Sequence, residues 1–446
     1  MILPTILSPF LILFFASANP ALPGGDLTHS DFSRNAFSHP GPNVKGETKL
    51  QFGVGNSFFK IGWPEAPAST ADRDGLGPTF NAISCSSCHQ LDGRGVGYNA
   101  PISHTEFNVN VSLLFRLSNA ENYGEQLNPL GISGIPGEAR PSVLVRFVDG
   151  TYDDGSSYKL RVPEFLFADF AFGAFTANTR VSPRVATQMI GLGLVEAIEE
   201  ADILKNEDPY DQNADGISGR ANLVHDIRSG QTRLGRYGWK ASQPSLRQQN
   251  AAAFAGDLGL TTSLFPTENC PPTQLLCLQA PNGGTPEIGE NILDRLTLYT
   301  QTLGVPARRD PTNPSVVRGE QVFLQIRCDR CHTPSFQTGA THEIPFLHHQ
   351  VIYPYSDFLL HDMGPELADH RPDVLANGRE WRTQPLWGIG LIPVVNDHQN
   401  LLHDARAQNV EEAILWHGGE AAAARDAFKK LTKQSRIDVI AFINSL

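Results

Sequence analysis

The chain has 446 residues, enough for two or three domains with real hydrophobic cores. Apolar and charged fractions of 40% and 18% are those of ordinary globular proteins. With 47 acidic against 35 basic side chains the net charge is -12, which argues against nucleic acid or anionic membrane as partners and permits a basic protein.

Residues 1–18, MILPTILSPFLILFFASA, carry no charged side chain and end in Ala16-Ser17-Ala18, an A-x-A cleavage pattern. They read as a secretory signal that lacks the usual basic start. The alternative is an uncleaved anchor, for which the apolar run is short. Export would place the mature chain in the periplasm. No later stretch is long and apolar enough to cross a bilayer. Residues 19 to about 80 are rich in Gly and Pro without a sustained period, so irregular chain is expected there.

SCSSCH, ending at His89, is the first of two C-x-x-C-H units; the second, RCDRCH, ends at His332. This spacing lets two thiols add to the vinyl groups of one porphyrin while the histidine takes the iron. Cys85, Cys88, His89 and Cys328, Cys331, His332 therefore predict two covalently bound c-type haems. A Cys₄ zinc site would join the pairs but leave both histidines without a role. A thioredoxin-like C-x-x-C requires a strand before and a helix after, which these flanks do not suggest.

Further along, PRVATQMIGLGLVEAIEE (Pro183 to Glu200) reads as a helix with Ser182 as its cap and Pro183 at its first position. Asp211, Asn213, Asp215 and Gly216, with the Ile217 carbonyl, fit the start of a calcium loop. Asn222 stands where the bidentate Glu should be, so a metal-free Asp/Asn/Gly turn is the other reading. Cys270 and Cys277 are either a short-loop disulfide in an oxidising compartment or two free buried thiols. A Pro/Asn/Thr-rich connection, VPARRDPTNPS, sets a domain boundary near residue 315, between an N-terminal haem domain with insertions (19–314) and a C-terminal cytochrome c domain (315–446). SVVRGEQVFLQI reads as a helix running into Cys328. Asn409 with Glu412 forms a capping-box pattern before AILWH, and Ser435 with Asp438 repeats it for RIDVIAFINSL. The expected fold is mainly α: two cytochrome c-like haem domains with long irregular loops.

Haem iron needs a sixth protein ligand for electron transfer or an open face for reaction. Beyond the leader only Met189 and Met363 remain, so methionine can serve at most two faces.

The stretches DGLGPTFNAISCSSCHQLDGRG, SPRVATQMIGLGLVEAI, DGISGRAN, GRYGWKASQPSL, YPYSDFLLHDMGPELAD, REWRTQPLWGIGL and LHDARAQNVEEAILWHGGEA together resemble the di-haem oxidoreductases. These carry the labels peroxidase and "thiol oxidoreductase", and lie within the bacterial di-haem cytochrome c peroxidase superfamily. The resemblance implies an N-terminal reactive haem fed by a C-terminal input haem, itself reduced by a small cytochrome or cupredoxin-type donor. Peroxide would be the oxidant, with dioxygen in some relatives. It also implies a sixth ligand at His417, fourteen residues after His403, with Met363 as the rival. His104 lies near where some relatives place a displaceable histidine on the first haem; a solvated loop residue is the alternative. The relatives' catalytic acid falls on Gln188, an amide that cannot shuttle a proton, and Glu196 on the same expected helix is a substitute. Their relay tryptophan has no match except Trp239, which packing alone would also explain. The residues leave open an electron-transfer cytochrome without its own substrate, and a dioxygen-dependent oxidase or oxygenase.

Overall fold

Two helices prepare the two C-x-x-C-H units. In the computed structural model, which describes residues 20–70, 73–98 and 107–446, they are Gly46–Lys60 and Pro314–Gln325. Residues 1–18, the expected signal, and His104 lie outside the described residues. The first helix packs on Glu290–Thr302 and the second on the last helix, Lys433–Ser445. A glycine makes each contact possible. A Cβ at Gly55 would collide with the Arg295 carbonyl, and one at Gly319 with that of Asp438. The first helix was not expected; its Gly53 and Gly55 dilute helix propensity, and only the partner helix explains Gly55. The second is as expected: Asn313 Oδ1 accepts the Ser315 N–H at 2.9 Å, with Pro314 at the first position.

The expectation of a mainly α fold is overturned. Helix accounts for 31% and strand for 19%, the strands falling in several small sheets. The largest element is a hairpin of Arg140–Thr151 and Ser157–Ala168, antiparallel from Arg140↔Ala168 to Thr151↔Ser157. Its Val, Leu, Phe and Tyr residues suit a pleated surface, and the turn at Asp153-Asp154-Gly155 closes it.

The helix expected from Pro183 is also corrected. Arg180–Val185 is a strand paired with Leu113–Ser118, whose strict alternation of burial marks a half-buried strand. Helix begins only at Leu192 and ends at Glu196, after Gly191 turns the chain at φ 69°. Gln188 and Glu196 are thus not on one helix. Ser182 caps nothing; its hydroxyl donates to Asp369 Oδ2 at 2.6 Å.

The Asn409 cap is as expected: its Oδ1 accepts the Glu412 N–H at 2.8 Å, while Glu412 returns to the Gln408 N–H at 2.7 Å. The final helix is capped earlier than expected, by Thr432, whose Oγ1 accepts the Ser435 N–H at 3.2 Å. Cys270 and Cys277 form a disulfide. The main apolar cluster draws on both sides of residue 315, from Leu27, Ile190 and Leu194 to Phe323, Trp387 and Phe442. Among the described residues no helix is long and apolar enough to cross a membrane.

Candidate functional site

Ser84 opens the first unit, its Oγ accepting the Ser87 N–H at 3.2 Å, so Cys85–Cys88 makes one helical turn. His89 follows, and its Nδ1 donates to the Thr187 carbonyl at 2.6 Å. In the second unit His332 Nδ1 donates to the Tyr355 carbonyl at 2.8 Å. His417, at the end of helix Val410–Trp416, donates Nδ1 to the Ala413 carbonyl one turn back at 2.6 Å. Burial lowers the pKa of all three, that of His332 to about 4. Each ring is therefore neutral, with its proton held on Nδ1, which leaves Nε2 as the nitrogen with a lone pair. Iron ligation requires that state.

Aromatic rings back the histidines of both C-x-x-C-H units in the same way. Phe59 lies 6.1 Å from His89 and 5.3 Å from Tyr299; Phe323 lies 6.3 Å from His332 and 5.2 Å from Phe442. In each case the phenylalanine belongs to the leading helix and the third ring to the crossing helix.

A cavity of about 330 Å³ opens beside the second unit, lined by Cys328, Cys331, His332, His417 and Met363. A charge on His417 disfavours protonation of His332, which places the two imidazoles close together. Its walls are mostly apolar, yet five arginines line them: Arg327 and Arg425 are ion-paired with Asp215 and Asp426, and the other three, Arg94, Arg236 and Arg382, are buried. Each of these three bonds backbone carbonyls, of Asn400 at 2.6 Å, Ile198 at 2.6 Å and Gly238 at 3.0 Å respectively. Burial brings Arg94 and Arg382 down to about 10. None of the three has a carboxylate at ion-pair distance among the described residues. Buried cations of this kind call for an anion, and haem supplies two propionates. An apolar cavity, two thiols and two neutral imidazoles on its wall, and buried arginines without an ion-paired carboxylate among the described residues together fit a haem.

The thiols themselves are inert as nucleophiles. Burial pushes Cys85 and Cys328 up to about 12, and Cys88 and Cys331 upward as well. They suit anchoring and do not support thiol–disulfide exchange.

Gln188 follows the residue whose carbonyl holds His89 Nδ1, so this chain passes on the side away from His89 Nε2. It lines the second cavity, and its Oε1 is buried without a partner. Glu196 accepts hydrogen bonds from Leu246 N at 2.8 Å, Gln301 Nε2 at 2.7 Å and His342 Nε2 at 3.1 Å. It is a structural carboxylate. Trp239 also lines the second cavity, donating Nε1–H to the Val185 carbonyl at 2.9 Å. Met363 sits on the same wall, its carbonyl against Gly418.

In the expected calcium loop, Asp211 Oδ1 accepts the N–H of Asp215 (2.9 Å) and Gly216 (3.1 Å), and Asp215 Oδ1 accepts that of Ile217 (3.1 Å). Asp215 Oδ2 meets Arg327 at 3.1 Å. The loop borders the second cavity through Asp215 and Ile217.

Several residues carried no sequence signal. The Thr187 and Tyr355 carbonyls are backbone groups, and the three arginines are scattered along the chain. His403 repeats the ligand-type pattern: Nδ1 donates to the Pro183 carbonyl at 3.0 Å, Nε2 is buried and unpartnered, and the ring stacks on Trp381 at 3.8 Å. Among the described residues Cys331, Asp357 and His361 could together hold a metal ion, Cys331 being also the second cysteine of the RCDRCH unit.

A protein-family model described as "Di-haem oxidoreductase, putative peroxidase" matches residues 21–128 and 151–446. The residues between, 129–150, include the first strand of the long hairpin. No protein of curated function and no solved structure matches the chain significantly.

Proposed function

The chain belongs to the di-haem oxidoreductase family, and from that premise we propose that it is an exported c-type di-haem enzyme that reduces peroxide. The unit at Cys328, Cys331 and His332 would hold the haem that takes in electrons, and the unit at Cys85, Cys88 and His89 the haem that meets the oxidant. The observation that carries this reading is the placement of His332 and His417 on one cavity with the second thiol pair. When bound, haem supplies one-electron redox chemistry at each iron and, where a face is open, a place for a small oxidant.

His332 and His417 would hold the second iron, and two imidazole ligands would set its potential below that of a His/Met site. Met363 on the same wall is the alternative ligand. Trp239 supports a route between the centres. It borders the second cavity, and its indole N–H ends on Val185, two residues before the carbonyl that grips His89. The charge of -12 supports a basic electron donor of the small cytochrome or cupredoxin type. The uncharged leader 1–18 supports delivery to the periplasm, where thioether attachment and the Cys270–Cys277 disulfide are both at home. The 211–217 loop is read as a metal-free turn, because Arg327 already neutralises Asp215.

EPR of the oxidised and half-reduced protein, followed by peroxide, tests the reading. One haem should stay low-spin, the other should show a high-spin signal that peroxide removes, and His417→Gly should change only the low-spin one. Two low-spin haems indifferent to peroxide would leave an electron carrier. Peroxide indifference with dioxygen consumption would leave an oxygenase.

A further inference from the structure

Peroxide reduction consumes protons as well as electrons, HOOH + 2e⁻ + 2H⁺ → 2H₂O, and neither expected acid can serve the first haem. Gln188 is an amide on the other cavity, and Glu196 is tied by three hydrogen bonds. We propose that Asp257 is the proton-carrying residue of the first haem site; this rests on the peroxidase reading above.

Asp257 lies in the helical turn Phe254–Leu258. Its backbone carbonyl accepts the N–H of Asn81 at 2.8 Å and of Ala82 at 3.2 Å. That pins it to the segment running straight into the first C-x-x-C-H unit. Among charged neighbours its carboxylate acts most strongly on both Cys85 and Cys88, so it lies near the first thiol pair.

The carboxylate is lightly held. Gln126 Nε2 donates to Oδ1 at 2.8 Å, while the same amide also serves Asn81 Oδ1 at 2.7 Å and the Gly256 carbonyl at 2.8 Å. No cation lies at ion-pair distance among the described residues; the charge acting on it is Arg116, which is engaged with Glu125 at 3.0 Å. The other carboxylate near Cys85 is Asp92. It is buried, holds Ser38 Oγ at 2.6 Å and Tyr299, and feels Lys60. Burial raises the pKa of Asp257, so its carboxyl keeps a proton more readily than a surface aspartate does.

In the reaction the Asp257 carboxyl gives its proton to the departing peroxide oxygen as the O–O bond breaks. The two haems, when bound, would supply the two electrons, and the second proton and the replacement for the first come from solvent. Because an electron reaching the first haem adds negative charge beside Asp257, reduction of that haem and proton uptake are linked.

Spectroelectrochemistry of the holoprotein over a pH series, combined with peroxide turnover, tests this. The midpoint potential of the first haem should fall as pH rises. D257N should flatten that dependence, leave the second haem unchanged, and lower kcat for peroxide about 100-fold with little change in KM. D257E should restore part of both. An unchanged slope in D257N, or loss of the slope in D92N instead, overturns the proposal. If D257N fails to load the first haem, R116Q carries the test. Removing that cation must move the bend in the potential–pH curve to higher pH, and an unmoved bend overturns the proposal. Wild-type protein that ignores peroxide while D257N still flattens the slope sinks the peroxidase reading and leaves the redox-linked proton on Asp257. The reverse combination sinks only Asp257.

Discussion

The two haem regions are built alike on one side and unlike on the other. Behind each proximal histidine stand a leading helix with a phenylalanine, a crossing helix admitted by a glycine, and a carbonyl that takes the Nδ1 proton. The regions part in what else stands near the thiols. The second has His417 and three arginines without an ion-paired carboxylate among the described residues; the first has a lightly held carboxylate, Asp257. They differ in assembly too. The second helix pair closes within the last part of the chain, whereas Gly46–Lys60 waits for Glu290–Thr302, with the hairpin and the disulfide threaded between. The shared side orients an imidazole, and the differing side decides what that iron does.

The strongest way to break the comparison is to remove each thiol pair in turn. C85S/C88S and C328S/C331S should each halve the haem content, read by the pyridine haemochrome. The second variant should also lose about 3–5 kcal/mol in urea unfolding, because its arginines are left buried without propionates. Equal losses in the two variants would refute the role given to those arginines.

Acid should separate the regions next. The unfolded chain binds a proton on each histidine below about pH 6.5, whereas burial keeps His89, His332 and His417 neutral in the fold. Stability therefore falls as pH drops through 6.5, by about 1.4 kcal/mol per pH unit for each histidine. For His332 the loss levels off near pH 4, after about 3 kcal/mol. With two such residues against one, the second region should lose its Soret signature at higher pH than the first.

Smaller effects sharpen the contrast. C270S/C277S opens a short loop in the first region and should cost about 2 kcal/mol, with the second haem's spectrum unchanged. N409A removes the cap of the helix that ends at His417 and should cost about 1 kcal/mol. Its specific signature is a larger high-spin fraction at the second haem alone.

The sequence by itself determined the two C-x-x-C-H units, the helix entering Cys328 and the Asn409 cap, because each depends on residues within a few positions of one another, and the family, because its local motifs recur along the whole chain. Thioether spacing and capping are local chemistry and can be read along a line. Only the tertiary structure decided that Pro183 lies in a strand. Val181 and Val185 flank Pro183 on a strand paired with Leu113–Ser118, and that pairing overrides the helical pattern of GLGLVEAI until Leu192. It likewise decided that Gly55 permits a helix crossing, that Gln188 faces the second cavity, and that Asp257 stands beside Cys85 and Cys88. Each of these depends on a contact between distant segments, whose free energy comes from burial and pairing that no local pattern encodes.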